Sequence, residues 1–291
     1  MGCYKFRKKA GRIKKVGSEE MIEPYYQEEN ITIYNGDCLE ILPQLSIKGD
    51  VDLVLTDPPY GMTGLKWDKS IDLSLLWKEL KLLGKDNTTY VFTSSQPFTT
   101  DLINSNRKWF KYEWIWDKFV GTNFLLAKKM PLKVHENICI FYKEKSIYNP
   151  QKTERLCKQS VKKYKMGSSY KNKQTKDTRY SLFTKVFHFE GYYKFPTSIL
   201  RFKRPGQGGN QFKLLQYHPA EKPLGLMNYL VLTYTNLNAL ILDPFMGSGT
   251  TLVASKELNR RAVGIELEKK YCDIAIKRIK EVPDKLFRGE I

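Results

Sequence analysis

Residues 239–266 read ALILDPFMGSGTTLVASKELNRRAVGIE, and this stretch decides the fold. It begins with a short apolar run typical of a buried strand, turns at Gly247 and Gly249, and continues as a helix through Leu258. A second apolar run then ends at Glu266. A strand, a glycine turn, a helix and a further strand form the repeating unit of α/β folds, so we expect a mostly parallel sheet.

The same stretch indicates a ligand site. Glycines let the backbone approach a ligand closely, and the free N–H groups of the helix start attract a carboxylate or a phosphate. Glu266 stands near the distance at which such folds place an acid on ribose hydroxyls. A dinucleotide site would have a third glycine where Leu252 stands, and a phosphate-binding loop would have a lysine that this turn lacks. Both of those ligands therefore fit poorly.

A second motif lies earlier, where residues 51–60 read VDLVLTDPPY. The apolar run predicts a buried strand that stops at Asp57, and ligands bind beyond the carboxyl ends of such strands. Asp57 and the carbonyl of Pro58 offer two neighbouring hydrogen-bond acceptors, and the two prolines hold this backbone rigid. Tyr60 adds the flat face of an aromatic ring. The plainer alternative is a strand that ends in a Pro-Pro turn.

Together the two motifs resemble those of amino-methyltransferases, which methylate the exocyclic amine of adenine or cytosine in DNA. Residues 57–60 resemble their catalytic motif IV, and residues 243–251 resemble their S-adenosylmethionine motif I. The cofactor motif lies near the C-terminus, which resembles the permuted order of the β group. The resemblance implies a Rossmann-like methyltransferase sheet, mostly parallel with an antiparallel edge, an inserted target-recognition region, and S-adenosylmethionine as the cofactor.

Four shorter segments match the same group. Residues 35–38 (NGDC) resemble the motif whose acid contacts the cofactor's adenine, and residues 218–223 (HPAEKP) resemble motif X near its methionine end. Residues 116–118 (WDK) and 135–137 (HEN) resemble paired segments near the target base. Each segment has a plainer interpretation: an acid after a strand often caps a helix, and residues at a helix entry are often ordinary surface residues.

The resemblance implies a set of site residues. The predicted catalytic residues are Asp57, Pro58, Pro59 and Tyr60. The predicted cofactor-binding residues are Asp37, Cys38, Asp57, His218, Lys222, Asp243, Phe245, Gly247, Ser248, Gly249, Thr250, Thr251 and Glu266. No metal site is predicted, because the three histidines are scattered and the five cysteines form no Cys-x-x-Cys pair. The cysteines are interpreted as reduced thiols of a cytoplasmic protein.

The net charge of +18 is concentrated in two segments. Residues 1–17 contain seven Lys or Arg and no acid, and residues 151–180 contain ten basic and two acidic residues. Such concentration favours a polyanion as partner, although a solvated loop has the same composition. The predicted DNA-binding residues are Lys158, Lys162, Lys163, Lys165, Arg201, Lys203 and Arg204.

These segments suggest a domain organisation. A basic tail covers residues 1–30, the catalytic half covers 31–145, a target-recognition region covers 146–212, and the cofactor-binding half covers 213–291. Strands are predicted at 31–34, 51–56, 88–93, 112–117, 137–142, 239–242 and 262–266. Helices are predicted at about 72–83, 97–105, 223–235, 250–259 and 268–281.

We therefore predict a site-specific DNA methyltransferase that acts on N6 of an adenine flipped out of double-stranded DNA. Asp57 favours adenine, because the cytosine-N4 enzymes that this sequence resembles more often have serine there. The alternatives are cytosine-N4 methylation and a non-catalytic DNA-binding regulator of the same fold. A homodimer and a cognate restriction endonuclease stay open as partners, and no membrane association is expected, since no apolar run approaches spanning length.

Overall fold

The structure is a computed structural model, and it describes residues 14–16, 19–62, 68, 70–122, 124–154, 193–206, 217 and 220–283. The chain divides into two compact units. The larger spans Met1–Asn149 with Ser198–Ile291, and the smaller spans Pro150–Thr197. In the smaller unit, the described residues form two short antiparallel strands.

The strands of the described residues, in chain order, are β1 (Lys14–Val16), β2 (Glu19–Met21), β3 (Tyr26–Gln27), β4 (Ile31–Asn35), β5 (Val51–Thr56), β6 (Gly84–Ser94), β7 (Phe110–Thr122), β8 (Lys133–Phe141), β9 (Thr153–Glu154), β10 (Tyr193–Lys194), β11 (Ile199–Arg201), β12 (Leu240–Asp243) and β13 (Arg261–Glu266). The helices are α1 (Cys38–Ile41), α2 (Leu73–Leu83), α3 (Phe98–Ser105), α4 (Leu224–Tyr234), α5 (Thr250–Glu257) and α6 (Lys269–Glu281).

The main sheet has nine strands in the order β11-β7-β8-β6-β5-β12-β13-β4-β3. Its centre is parallel, since β6, β5, β12, β13 and β4 pair in parallel register. Strand β8 runs antiparallel to both β6 and β7, and β3 runs antiparallel to β4 at the opposite edge. The predicted sheet, mostly parallel with an antiparallel edge, is confirmed.

The strand order reverses between β5 and β12. From β5 the chain proceeds to β6 on one side, whereas from β12 it proceeds to β13 on the other side. Ligands of open α/β sheets bind in the crevice at such a switch point, beyond the carboxyl ends of the strands. Strand β5 ends at Thr56 and β12 ends at Asp243, so the two motifs continue from the ends of these two strands. Both motifs therefore lie at one crevice.

Helices cover both faces of this sheet. One buried cluster joins sheet residues such as Leu53 to side chains of α4, α5 and α6. A second cluster joins Val54 to side chains of α1, α2 and α3. Neighbouring residues of β5 point to opposite faces, so its near-continuous apolar run is explained by burial on both sides.

All seven predicted strands and all five predicted helices are present, with ends that differ by a few residues. Helix α1 and the strands β1, β2, β3, β9, β10 and β11 were not predicted, because elements of two to four residues are too short to show a periodicity. Strand β11 is the outermost strand beside β7 and belongs to the larger unit. Within the described ranges, no helix is long and apolar enough to cross a membrane.

Candidate active site

A cavity of about 610 Å³ lies at the carboxyl ends of β4, β5, β12 and β13. Its wall combines the residues that follow each of these strands with side chains from β7, β8 and the segment before α4. The volume is within the range of pockets that enclose a small organic ligand. The cavity is therefore large enough for a nucleoside cofactor at the position where the strand order reverses.

Asp57 is held in this cavity by three donors. The hydroxyls of Tyr60 and Thr93 both donate to Oδ1, with the Tyr60 oxygen at 2.8 Å. The ammonium of Lys222 donates to Oδ2 at 2.5 Å. Each oxygen of the carboxylate therefore has a protein donor, and the orientation of the Asp57 side chain is fixed before any ligand binds.

Lys222 belongs to a chain of alternating charges. Its side chain is 9% exposed, and its Nζ lies 3.5 Å from Oε2 of Glu136 as well as 2.5 Å from Asp57. The other oxygen of Glu136, Oε1, accepts a hydrogen bond from the buried Lys118 at 3.1 Å. Two ammonium groups thus alternate with two carboxylates along one wall of the cavity.

These charged groups shift one another's pKa values. Burial alone would raise the pKa of Glu136, but Lys222 and Lys118 hold it below its ordinary value. Burial alone would lower the pKa of Lys222, but Asp57 and Glu136 raise it. Lys222 and Glu136 are therefore both charged at neutral pH. Oε2 of Glu136 is buried and accepts no hydrogen bond from the described residues.

Tyr60 connects Asp57 to an aromatic pair. Its ring stacks on Phe98 with centroids 5.2 Å apart and an interplanar angle of 23°. Burial is the main reason that the pKa of Tyr60 lies well above its ordinary value, so its hydroxyl keeps the proton that it donates to Asp57. One face of the ring is covered by Phe98, and the residue also lines the cavity.

The glycine turn after β12 is shaped by two left-handed residues, Gly247 and Gly249, with φ values of 52° and 78°. A Cβ on Gly249 would stand 2.6 Å from the Cβ of Ala275 in α6, so only glycine fits there. The N–H of Gly247 donates to Oε2 of Glu266 at 3.1 Å, and the N–H of Glu268 donates to Oε1 at 2.7 Å. The turn and the acid at the end of β13 therefore fix each other.

Arg278 holds the same turn from the side of α6. Its Nη1 donates to the carbonyl and the hydroxyl of Ser248 at 2.8 and 2.9 Å, and to the hydroxyl of Thr250 at 3.1 Å. Its Nη2 lies 2.9 Å from Oε1 of Glu221, which directly precedes Lys222. This arginine links the glycine turn to the segment that carries Lys222.

A family model described as DNA methylase, N6_N4_Mtase, matches residues 51–277, which include both strand-end motifs. The chain belongs to this family. Membership confirms the predicted resemblance to S-adenosylmethionine-dependent DNA amino-methyltransferases of the N6/N4 type.

Relatives and solved structures agree with the family. Type II methyltransferase M2.MboI of Moraxella bovis is 28% identical over 269 residues, which cover 90% of this chain and 92% of that protein. M1.HpyAVI, solved as a complex with SAM, has a TM-score of 0.56 and 25% identity, covering 86% of this chain and 98% of its own. The cytosine-N4-specific PvuII DNA methyltransferase has a TM-score of 0.59 at 16% identity, with 90% of both chains covered, which shows a shared fold.

The residues of this DNA methylase fit its family's cofactor, S-adenosylmethionine. The cavity is large enough, and the left-handed Gly247 brings backbone to its wall. Burial raises the pKa of Glu266, and its carboxylate faces the same cavity, where ribose hydroxyls would be its natural donors. The half-buried ring of Phe245 adds an apolar surface.

The structure brings most of the predicted site residues of the DNA methylase together. Those that line the cavity are Asp37, Cys38, Asp57, Pro58, Pro59, Tyr60, Lys222, Asp243, Phe245, Gly247, Ser248, Thr250, Thr251 and Glu266. Gly249 lies behind this lining, against α6. Of the predicted DNA-binding residues, Arg204 lines the cavity, Arg201 pairs with Asp117 at 3.3 Å, and Lys203 is exposed. His218, Lys158, Lys162, Lys163 and Lys165 lie outside the described residues.

Two of these residues also have the plainer roles considered from sequence. Asp37 caps α1, since its Oδ1 accepts from the N–H of Leu39 at 2.9 Å. Burial raises the pKa of the Cys38 thiol to about 12, so this cysteine is an uncharged part of the cavity wall. Both roles are compatible with cofactor contact, which stays a prediction for these residues.

Individual roles for Lys118, Glu136 and Arg278 were not predicted from the sequence. The first two lie in the WDK and HEN segments, and β7 pairs with β8 so that Trp116 stands opposite Glu136. The sequence contained one indication: Lys118 directly follows the predicted strand 112–117, and Glu136 directly precedes the predicted strand 137–142. Arg278 gave no such sign, because a cation in the last turns of a helix is usual.

Asp243 provides a pH-dependent test of the buried crevice. Its Oδ1 accepts from the hydroxyl of Thr56 at 2.6 Å and from the N–H of Phe245 at 3.1 Å, and burial raises its pKa to about 6. In the unfolded chain an aspartate titrates near pH ~4, so the folded protein keeps a proton that the unfolded chain releases between pH ~4 and ~6. The free energy of unfolding contributed by this group therefore falls as the pH rises through that window.

We expect Asp243→Asn to remove this dependence while keeping an oxygen acceptor for Thr56 and Phe245. As the pH rises from ~4 to ~7, the free energy of unfolding of the variant should increase by about 2–3 kcal/mol relative to that of the wild type. Denaturant unfolding of both proteins across this range measures the difference. Parallel stability curves would show that Asp243 is ionised in the folded protein.

Proposed function

We propose that this DNA methylase transfers a methyl group to N6 of an adenine that has been extruded from duplex DNA. The observation that carries the proposal is the fixed carboxylate of Asp57, followed by Pro58 and Pro59, in the cavity that also contains the glycine turn. An exocyclic amine is a poor nucleophile, because its lone pair is delocalised into the ring. Acceptors for both of its protons draw the lone pair out of that conjugation.

In this proposal the residues have separate roles. S-adenosylmethionine, when bound, supplies an activated methyl group. Asp57 and the carbonyl of Pro58 accept hydrogen bonds from the two N–H groups of the amine and orient the nitrogen, which is the form of catalysis that depends on placement. The nitrogen gains the methyl group and loses one proton, on the side of the Asp57 carboxylate. Tyr60 holds Asp57 and offers its ring to the extruded base. The glycine turn, Glu266 and Asp37 bind the cofactor.

Lys222 competes with the incoming amine for Oδ2 of Asp57. It occupies Oδ2 of Asp57 at 2.5 Å, and Oε2 of Glu136 lies 3.5 Å from the same ammonium without a hydrogen bond. We propose that the arriving amine displaces Lys222 from Asp57 toward Glu136. The ammonium then keeps a buried carboxylate partner throughout, which avoids the cost of an unpaired buried charge.

Glu136→Gln tests this movement of the Lys222 ammonium from Asp57 toward Glu136. The amide has nearly the shape of the carboxylate but cannot stabilise the ammonium by charge, so Lys222 should stay on Asp57. We expect kcat to fall by about tenfold or more, while the dissociation constant of S-adenosylmethionine changes little. Single-turnover methylation and calorimetric cofactor titration measure the two effects. An unchanged kcat would contradict the proposed movement.

The choice of adenine rests on Asp57, because the sequence resemblance associates serine with cytosine-N4 enzymes at this position. The test is transfer of labelled methyl from S-adenosylmethionine to unmethylated DNA, followed by mass analysis of the nucleosides. N6-methyladenine supports the proposal and allows the recognition sequence to be mapped. N4-methylcytosine keeps the fold and the amine chemistry but contradicts the base assignment. Binding of cofactor and DNA without transfer would favour a non-catalytic regulator.

The proposed partner is double-stranded DNA. We propose residues 146–212 as the target-recognition region, with Arg201, Lys203, Arg204 and the lysines at 158–165 as contacts to phosphates or base edges. Relatives named Type II methyltransferases support a second proposal, a cognate restriction endonuclease that reads the same sequence. DNA methylated by this enzyme should then resist that endonuclease.

A further inference from the structure

The hairpin between β7 and β8 ends in an exposed apolar surface, here named the β7–β8 tip and defined as residues 124–132. Every residue of the tip is exposed, and Leu125 is 100% and Phe124 65% exposed. The other large apolar side chains of this surface are Leu126, Met130 and Leu132, together with Phe119 and Val120 at its base. So many neighbouring apolar residues on a protein surface usually mark a contact site.

The tip is an ordered structure. Residues Phe124–Leu126 form a 3-10 turn, and the N–H groups of Lys129 and Met130 both donate to the carbonyl of Leu126, at 2.8 and 3.0 Å. The hydroxyl of Thr122 donates to the carbonyl of Lys133 at 3.0 Å and closes the base of the hairpin. The apolar side chains thus point outward from a defined backbone.

The strand that leads to the tip pairs irregularly with its neighbour. The register of β7 with β8 shifts between Asp117 and Thr122, and Phe119 has a left-handed φ of 64°. Its N–H donates to Oδ1 of Asp117 at 2.9 Å, which stabilises the unusual conformation. Non-glycine residues in this region are strained, and such strain concentrates where a side chain must be aimed for function.

The charged residues of the tip are all basic. No acid occurs from Phe119 to Val134, whereas Lys128 and Lys129 are both exposed. An apolar surface flanked by lysines without acids is complementary to DNA, whose phosphates attract the cations. It is a poor surface for pairing two copies symmetrically, because the same lysines would meet each other across the two-fold axis.

The tip continues from the wall of the active-site cavity. Trp116, Lys118 and Thr122 of β7 and Glu136 of β8 line the cavity that contains Asp57. A duplex that delivers a base to Asp57 therefore lies beside the hairpin that carries the tip. Proteins that distort DNA frequently insert Phe, Leu or Met side chains between base steps, which partly unstacks the bases.

We propose that the β7–β8 tip binds duplex DNA beside the target base, with Phe124 and Leu125 filling the space that the extruded base leaves and Lys128 and Lys129 binding the adjacent phosphates. This inference rests on the proposed function, since it requires a DNA substrate with an extruded base. It places a DNA contact outside the 146–212 region that the sequence suggested.

Two double variants separate the two roles. Lys128→Gln with Lys129→Gln should weaken binding to an unmethylated duplex by about tenfold, and should flatten the slope of log affinity against log salt by up to ~2. Phe124→Asn with Leu125→Asn should slow methylation of a paired target by about tenfold. A mismatch at the target base should restore much of that rate, because a mismatched base is easier to extrude.

The matched controls are Lys78→Gln with Lys277→Gln, two exposed helix lysines, and Leu237→Asn, an exposed leucine before the amino end of β12. Fluorescence anisotropy at several salt concentrations, methylation of paired and mismatched duplexes, and light scattering for mass are the measurements. The proposal is supported if only the tip variants lose binding and rate as described.

Other outcomes overturn it. Tip variants that bind and methylate DNA as the wild type does would refute the inference and leave the proposed function intact. A loss of dimer mass at unchanged DNA affinity would show that a second copy covers the tip. A wild type that binds DNA through the tip but transfers no methyl group would instead refute the proposed function, and a wild type that binds no DNA would refute both.

Discussion

Asp57→Ala is expected to reduce methyl transfer to DNA by at least a hundredfold to a thousandfold, on the order of the loss seen when a preorganised group that stabilises a transition state is removed. The carboxylate is the acceptor that we propose for the target amine, and alanine leaves that nitrogen conjugated with its ring. Cofactor and DNA affinity should stay within a few fold, because neither depends on the amine contact. Single-turnover transfer, cofactor titration and DNA anisotropy measure the three quantities.

The structure explains why this variant should fold. Removing Asp57 leaves Lys222 with Glu136, whose Oε2 already lies 3.5 Å away, so the ammonium keeps a carboxylate partner. Asp86→Ala is the matched control, since Asp86 is an exposed carboxylate that pairs with Lys143. It should leave transfer unchanged. Wild-type activity in Asp57→Ala would refute the proposed mechanism, whereas a parallel loss of cofactor affinity would favour the cofactor-binding role that the sequence also predicted for Asp57.

The parallel sheet and its two strand-end motifs were predictable because their signals are local. Apolar runs that end in Asp57 and Asp243 indicate strands buried on both faces, and glycines followed by a helix pattern indicate a turn with a ligand. These features need no knowledge of which side chains meet across the fold. The strand order, which reverses between β5 and β12, was not predicted and is seen only in the structure.

The ion network was not predictable in the same way. Lys222 and Asp57 are separated by 165 positions, and their contact depends on how α4 approaches the end of β5. The β7–β8 tip was missed for a different reason: its apolar residues look like core in a sequence, and only the fold shows that they are exposed. Strand β11 shows a third limit, since three residues carry no periodicity.

Lys222→Met should lower the free energy of unfolding by about 3 kcal/mol or more, because it leaves two neighbouring carboxylates, Asp57 and Glu136, without their shared cation in a largely buried place. Methionine keeps the length and apolar contacts of the lysine stem, so the lost term is the charge. Lys143→Met is the matched control, since its ammonium lies 2.7 Å from Asp86 at an exposed position. That change should have no measurable effect, because water and salt screen exposed pairs. Denaturant unfolding of the three proteins at neutral pH measures the contrast.

The pH dependence of the stability lost in Lys222→Met shows whether Lys222 stabilises the protein by its charge or by its packing. In the wild type the pKa of Glu136 lies below the ordinary pKa of a glutamate. The stabilisation that Glu136 contributes is therefore complete when the pH is above the ordinary pKa, and it is lost as the pH falls through the lowered pKa. The pKa of Lys222 is raised, so the stabilisation that Lys222 contributes is complete when the pH is below the ordinary pKa of a lysine. It is lost only as the pH rises through the raised pKa. In Lys222→Met the carboxylates can relieve their repulsion by taking up a proton in acid. The difference between wild type and variant should therefore be largest near neutral pH and shrink toward pH ~4. A difference that stays constant with pH would show that Lys222 stabilises the cavity wall by packing alone, and the proposed movement between Asp57 and Glu136 would lose its electrostatic basis.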